Sequence, residues 1–282
     1  MTLKKRLLYP FARRFFAGTK LADAVARART VNALGMGATL DYLGEDVTDG
    51  EEAMRARAEY ERVIDALSGE RLDASLAIKL THIGLDIGRE AALLNALEII
   101  RHAKARGVRL WVDMEGSRHT QATIDIYREM LEIDGTAGIA LQAYLKRTWD
   151  DLKALVAGGA TVRLVKGAYS EPPEIAIQDM GKLRARYIEM TEYLFDNARY
   201  FAVGTHDTRL INRMLKMSSP THSFEFQMLM GIRDRLKMLL RARGHRVVEY
   251  VPYGEDWYGY GIRRIGEKRR NILYFAQGLI GR

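Results

Sequence analysis

The chain has 282 residues, 48% of them hydrophobic, with five prolines and no cysteine. That composition fits one globular α/β domain and excludes disulfides, thiolate catalysis and thiolate metal sites. Its 44 Lys and Arg against 36 Asp and Glu leave a formal charge of +8, dispersed as on a solvated surface rather than gathered as a nucleic-acid footprint. Two clusters stand out, Lys4, Lys5, Arg6, Arg13 and Arg14 at the start and Arg263, Arg264, Lys268, Arg269 and Arg270 near the end.

Residues 1–37 read as a helical segment, with Leu3, Leu7, Leu8, Phe11, Phe15 and Phe16 forming an apolar stripe. One expectation is a helix capping the bottom of the following domain. The other is a basic amphipathic segment touching a membrane surface, as the interleaved cations permit. No apolar run approaches the roughly 20 residues of a bilayer span. Pro10, Arg13 and Arg14 also break the segment before a signal-peptide core forms. The expected location is cytoplasmic, with peripheral contact at the inner face of the cell membrane left open.

From residue 38 to 282 eight short apolar runs recur at intervals of 22 to 39 residues: 38–43, 74–80, 109–115, 138–145, 161–169, 200–207, 222–229 and 246–254. Helical patterns lie between them, among them 51–67, 90–107 and 120–133, with apolar spacings of three and four. Repeated βα units of this kind predict a distorted (βα)8 TIM-type barrel with N-terminal helices. Gly107, after Lys104 and Arg106, is placed to cap a helix. The intervals of 22 to 24 before the fifth, seventh and eighth strands leave room for short helices only. On the C-terminal rim, where barrel chemistry sits, the pattern puts Glu45, Lys79, Asp113, Gln142, Lys166, His206, Glu225 and Tyr253.

Strand alternation sets Arg109, Trp111, Asp113 and Glu115 on one face. Asp113 at a strand end needs a cationic or hydrogen-bonding partner if it is buried, and Lys79, Arg163 and Lys166 crowd the same rim. After the last strand, Arg263, Arg264 and Glu267 recur at helical spacing. Two guanidinium forks near Lys79 would receive a small carboxylate bidentately, with Glu267 steadying one of them; an exposed basic helix face is the alternative. Tyr250, Tyr253, Trp257, Tyr258 and Tyr260 either wall a pocket for a compact ring or cover the core. The six histidines form no HxH or HExxH spacing, so no metal site is expected. Neither GxGxxG nor GxxxxGK[ST] occurs, and Ser117 and Ser170 lack an adjacent base.

The ordered segments ASLAIKLT, RLWVDME, LQAYLKRT, RLVKGAYSEP, VGTHD, FEFQML and YVPYGEDWYGYGIRRIGE resemble the proline dehydrogenase family over about residues 38 to 275. The resemblance implies a distorted (βα)8 barrel that binds FAD without a Rossmann domain. It implies oxidation of L-proline to 1-pyrroline-5-carboxylate, the first step of proline catabolism to glutamate, with electrons passed to a quinone. Carried over by motif, Lys79, Arg263 and Arg264 clamp the proline carboxylate. Tyr250 and Tyr260 close over the ring, and Leu229 supplies an apolar wall. Asp113 organises the clamp and the substrate amine, while Arg163 stabilises the reduced flavin near N5. Met114, Gln142, Lys166, Gly167, Ala168, Thr205 and His206 are expected to contact FAD, with Glu225 a further candidate. Gly167 would let the backbone approach the ligand, and a tyrosine at 260 favours proline over hydroxyproline. Gly259, Gly261 and Gly266 would loosen the final helix and weaken proline affinity. A chain ending at residue 282 leaves the second oxidation to a separate pyrroline-5-carboxylate dehydrogenase. A barrel flavoenzyme for another small secondary amine, such as hydroxyproline, is the alternative enzyme; a basic barrel without catalysis is the alternative of another class.

Overall fold

The computed structural model describes residues 3–264. Eight strands form where the eight runs fall: β1 Gly37–Tyr42, β2 Ala74–Ile78, β3 Leu110–Val112, β4 Gly138–Gln142, β5 Thr161–Val165, β6 Phe201–Gly204, β7 Phe224–Leu229 and β8 Arg246–Tyr253. Each pairs in parallel with its sequence neighbours, and β8 closes on β1 with Tyr250 beside Thr39. Seven helices follow the first seven strands: α3 Gly50–Gly69, α4 Arg89–Arg106, α5 Thr120–Ile133, α6 Thr148–Ala157, α7 Met180–Asn197, α8 Thr208–Met217 and α9 Asp234–Ala242. The short intervals hold the short helices, 10 residues in α6 and α8 and 9 in α9. Gly107 ends α4 in the left-handed region at φ 67°, as a C-terminal glycine cap requires.

Alternation along the strands separates two cores. The outward set, including Leu40, Leu76, Ile78, Val112, Ile139, Val162, Leu164, Val203 and Phe226, packs into the large apolar layer beneath the helices. The inward set is small or polar: Thr39, Asp41, Ser75, Ala77, Trp111, Gly138, Arg163, Ala202, Glu225, Gln227 and Tyr250. Thr39 hydrogen-bonds Ser75 across β1 and β2, while Ala77, Trp111 and Ala202 form a separate inner cluster with Tyr250 against it. Barrel interiors usually fill with branched aliphatic side chains. This one is built to hold charge.

The N-terminal segment forms two helices, α1 Leu3–Ala12 and α2 Leu21–Ala33. Helix α2 lies against β8 and β1, where a helix after β8 would otherwise sit. Arg27 of α2 reaches Glu249 of β8 at 2.6 Å, and Lys237 of α9 meets the same carboxylate at 2.5 Å. Helix α1 does not cap the barrel bottom. Ala12, Phe15 and Phe16 pack with Leu43, Trp257 and Tyr260 beyond the strands' C-terminal ends, and Phe16 stacks on Trp257 with ring centroids 5.4 Å apart. The expected apolar stripe also breaks, because Phe11 is 69% exposed and Phe15 and Phe16 follow the end of α1; the side chains of Leu3 and Leu7 lie outside the described ones. Among the described residues no helix is long and apolar enough to cross a membrane.

Two predictions follow from this packing. A Cβ on Gly138 would lie 2.3 Å from the Trp111 ring, so Gly138→Ala must displace the indole or bend β4. We expect about 1 to 3 kcal/mol of destabilisation by denaturant titration; an unchanged midpoint would contradict the tight inner packing. His82 is buried against the Tyr60 hydroxyl, 3.0 Å from its Nδ1. Burial, helped by the Lys79 charge, pushes its pKa down from 6.5 to about 4. A depressed folded-state pKa makes the stability contribution complete above pH 6.5 and lost as pH falls toward 4, about 3 kcal/mol at most. His82→Asn should therefore flatten the fall in stability between pH 6.5 and 4. An equally steep fall in the variant would rule this out.

Candidate active site

The inward polar residues meet near the top of the barrel core. Lys79, just past β2, forms a buried ion pair with Asp41 of β1, and its Nζ lies 3.7 Å from Asp113 Oδ2. Burial alone would lower the Lys79 pKa, but Asp41, with Tyr60 and Glu115 adding to it, raises it and keeps the ammonium charged. Asp113, just past β3, takes Arg163 Nη2 on Oδ1 and the Tyr250 hydroxyl on Oδ2, the latter at 2.6 Å. Arg163 is 4% exposed. It crosses the barrel from mid-β5 rather than standing on the rim as its strand-end neighbours do, its guanidinium lying 5.1 Å from the Trp111 ring centroid and 5.6 Å from that of Tyr250. Arg163 Nη1 also donates to Gln227 Oε1 at 2.9 Å. Leu229, paired in register with Tyr250, stands at the end of β7 beside this cluster.

A second group surrounds it at the strand ends. Lys166 Nζ and Arg184 Nε each lie 2.7 Å from Asp207 Oδ2. Burial would raise the Asp207 pKa, but those two cations hold it at about 2; its other oxygen accepts the Arg209 N–H that opens α8. His206 Nε2 accepts the Leu229 N–H at 2.9 Å, leaving the ring proton to Nδ1. Burial, with nearby cations, pushes its pKa down to about 3, so the imidazole is neutral. Thr205 is buried and accepts the Asp207 N–H at 3.2 Å. Gln142 donates to the Glu115 carbonyl at 2.8 Å. Met114 is buried, and Ala168 is exposed at the rim. Burial pushes the Glu115 carboxyl up to about 7 despite two hydrogen bonds from Thr81. Gly167 has φ 112°, and a Cβ there would strike the Tyr144 ring at 2.2 Å; the glycine is required by a protein neighbour.

The helical turns at 257–264 lie beyond β8. Arg263 Nη1 is 3.1 Å from Glu45 Oε1, and the Arg264 guanidinium sits 5.4 Å from the Tyr260 ring centroid. Tyr260 is buried in the cluster with Ala12 and Phe16. Gly261 has a packing role, since a Cβ there would come within 2.9 Å of the Ala12 Cβ. Glu267 and Gly266, with Lys268, Arg269 and Arg270, fall outside the described residues.

One rim assignment is wrong. Glu225 opens β7 and lies at the foot of the barrel, bonded to Gln227, Tyr200 and Arg246. A cleft of about 410 Å³ at that end is lined by Arg109, Trp111, Tyr200, Glu225 and Arg246. Lys79, Asp113, Gln142, Lys166 and His206 lie at the other end, where a cleft of about 290 Å³ is bordered by Glu45, Glu115, Ser117 and Tyr169. Tyr253 ends β8 but faces outward, packed in the outer apolar layer with its hydroxyl donating to Glu59 Oε1 at 3.0 Å. Sequence reasoning passed over Asp41 and Gln227. Asp41 carried a signal, an acid inside the apolar run ATLDYL; Gln227 differed from its neighbours only in phase.

A family model described as proline dehydrogenase matches residues 24–273. "Proline dehydrogenase 1" of Bacillus subtilis subsp. natto is 36% identical over 273 residues, 95% of this chain and 90% of that protein. "Proline dehydrogenase" of Deinococcus radiodurans is 32% identical over 99% of this chain and 93% of its own length. Among solved structures, proline utilization A from Bdellovibrio bacteriovorus, inactivated by N-propargylglycine, superposes with a TM-score of 0.85 at 23% identity over 93% of this chain. The chain spans 33% of that protein's length, and the likeness shows the shared barrel. With a family model over most of its length and relatives above 30% identity, this chain belongs to the proline dehydrogenase family.

Proposed function

We propose that this protein oxidises L-proline to 1-pyrroline-5-carboxylate with FAD as its cofactor and a quinone as the final electron acceptor. The observation that carries the reading is the meeting of Lys79, Asp113, Arg163 and Tyr250 toward the C-terminal end of the barrel interior. The same end fits a flavin nucleotide. Lys166 and Arg184, both partly exposed, offer cations to a pyrophosphate. Gln142, Thr205 and the neutral His206 offer polar contacts, and Met114 an apolar one. Bound FAD supplies the two-electron acceptor for the hydride that leaves proline C5.

The chain's own residues bind and orient. Lys79 presents an ammonium to the substrate carboxylate, and Arg263 and Arg264 add planar forks from the turns after β8. Leu229 and Tyr250 flank the ring, and Asp113 keeps Tyr250 and Arg163 fixed from opposite sides. Holding the carboxylate and the ring face together confines C5 to one approach, the kind of orientation that contributes strongly to rate. The proline ammonium must first give one proton to solvent. As the hydride departs, the freed nitrogen lone pair forms the C=N bond and the second N–H proton follows to solvent, so the zwitterion loses one hydride and two protons in all. Exposed Phe11 beside the exposed Arg13 and Arg14 supports peripheral contact with an anionic cytoplasmic membrane face, where a quinone would be met. The product would be the substrate of a pyrroline-5-carboxylate dehydrogenase.

The deciding experiment is the anaerobic visible spectrum of the purified protein before and after L-proline. Flavin bands that bleach are expected; bands indifferent to L-proline would move the activity to another amine, and a protein colourless even after FAD is added would overturn the proposal. In competition assays Tyr260→Ser should raise the hydroxyproline-to-proline ratio of kcat/KM by roughly 10-fold, and an unchanged ratio would remove Tyr260 from specificity. Deleting residues 1–16 would strip Ala12, Phe15 and Phe16 from their cluster, so Phe11→Glu is the cleaner membrane test. Reduced sedimentation with anionic liposomes is expected, and undiminished sedimentation would exclude that contact.

A further inference from the structure

A line of buried polar side chains continues below the proposed site. Arg163 Nη1 donates to Gln227 Oε1 at 2.9 Å, and Gln227 Nε2 donates to Glu225 Oε1 at 2.7 Å. Glu225 Oε2 takes the Tyr200 hydroxyl and Arg246 Nε, the latter at 3.1 Å. Arg246 is itself gripped by Asp73, with contacts of 3.0 and 2.7 Å. Glu225, Gln227 and Arg163 are 3%, 4% and 4% exposed, so water does not substitute freely along the line.

The middle member is asymmetric. A carboxylate accepts hydrogen bonds and a guanidinium only donates them, whereas a primary amide has one end of each kind. Glu225 therefore requires the NH2 end of Gln227, and that choice turns the carbonyl oxygen toward Arg163. Arg163 is then held between two acceptors, Asp113 on one side and Gln227 on the other, with Trp111 and Tyr250 on its faces.

We infer that Glu225, at the foot of the barrel, is a positioning residue that fixes Arg163 through the Gln227 amide. The inference rests on the proposed placement of Arg163 beside the bound flavin. In Glu225→Gln the new amide must keep its oxygen for Arg246 and Tyr200, so it offers N–H to Gln227. That turns Gln227 over, sets NH2 against the guanidinium and releases Arg163 from one of its anchors.

The test is the midpoint potential of the bound flavin in the holoprotein, read beside kcat and KM for L-proline. Removing a buried negative charge would by itself raise the potential, whereas losing the Arg163 placement lowers it, so the sign separates the two causes. For Glu225→Gln we expect kcat about 10-fold lower, as for one lost hydrogen bond to a charged group, with KM changed less than about twofold. The potential should fall by about 30 mV, the same tenfold expressed for a two-electron couple. Gln227→Met keeps the Glu225 charge and should shift both quantities the same way, which preserves the test if Glu225→Gln does not fold. Tyr200→Phe, which leaves the Glu225 to Gln227 bond in place, should leave the potential unchanged. Arg163→Met must lower the potential; if it does not, the flavin placement of Arg163 falls and the inference with it. If Arg163→Met lowers the potential while Glu225→Gln raises it or Gln227→Met leaves it unmoved, the positioning role alone is overturned.

Discussion

Asp113 and Arg163, paired inside the barrel, set the terms for the residues around them. A buried ion pair is tolerated only when its remaining donors and acceptors are satisfied, and removing one partner commonly costs 3 to 5 kcal/mol. Arg163 spends its donors on Asp113 and Gln227; Asp113 spends its acceptors on Arg163 and Tyr250. Room for a guanidinium and an indole in the same layer comes from Ala77, Gly138 and Ala202, whose side chains are small or absent. The interior thus gives up the aliphatic filling usual for a barrel. Apolar stabilisation moves to the outer layer, where the outward faces of all eight strands lie under the helices.

The same constraint shapes the ends of the chain. Helix α2 fills the seat between β8 and β1, anchored by Arg27 on the buried Glu249, whose other oxygen is taken by Lys237 of α9. The segment after β8 is therefore free to turn across the strands' C-terminal ends, with Trp257 and Tyr260 packed under Ala12 and Phe16. Two distant parts of the sequence meet beyond the strands' C-terminal ends, at the same end of the barrel as the charged cluster. Gly261 lets them meet closely, and Arg263 and Arg264 are carried to the mouth by the same turns.

Much of this was legible from residue order because period-two strands and period-3.6 helices leave clear marks. All eight runs became strands, and 120–133 became α5 without adjustment. The seating of α1 was not legible, since an apolar stripe says which face is buried and nothing about what buries it. Phe11, inside the stripe, is exposed, while Phe15 and Phe16 pack after the helix ends. Glu225, the charged residue of the run 222–229, was assigned to the rim although it stands near the start of β7; strand direction makes the first residues the foot and the last residues the rim. Asp41 and Gln227 stayed unremarked because their importance lies in cross-barrel partners, Lys79 and Arg163, that no local pattern specifies.

The cations offered to a substrate carboxylate are not equivalent, and their existing partners say why. Lys79 is 12% exposed and Asp41 is 2% exposed, so separating them would strand a buried charge. That pair stays, yet an ammonium has three donors, and neither Asp41 nor the more distant Asp113 uses them all. Arg263 is 48% exposed and Glu45 30%, and an ion pair in that setting contributes between nothing and about 1 kcal/mol. An incoming carboxylate can take the place of Glu45 at little cost and can only add to the shell of Lys79. The proposed clamp therefore has one fixed pole, set by the barrel interior, and one exchangeable pole, carried by the turns after β8.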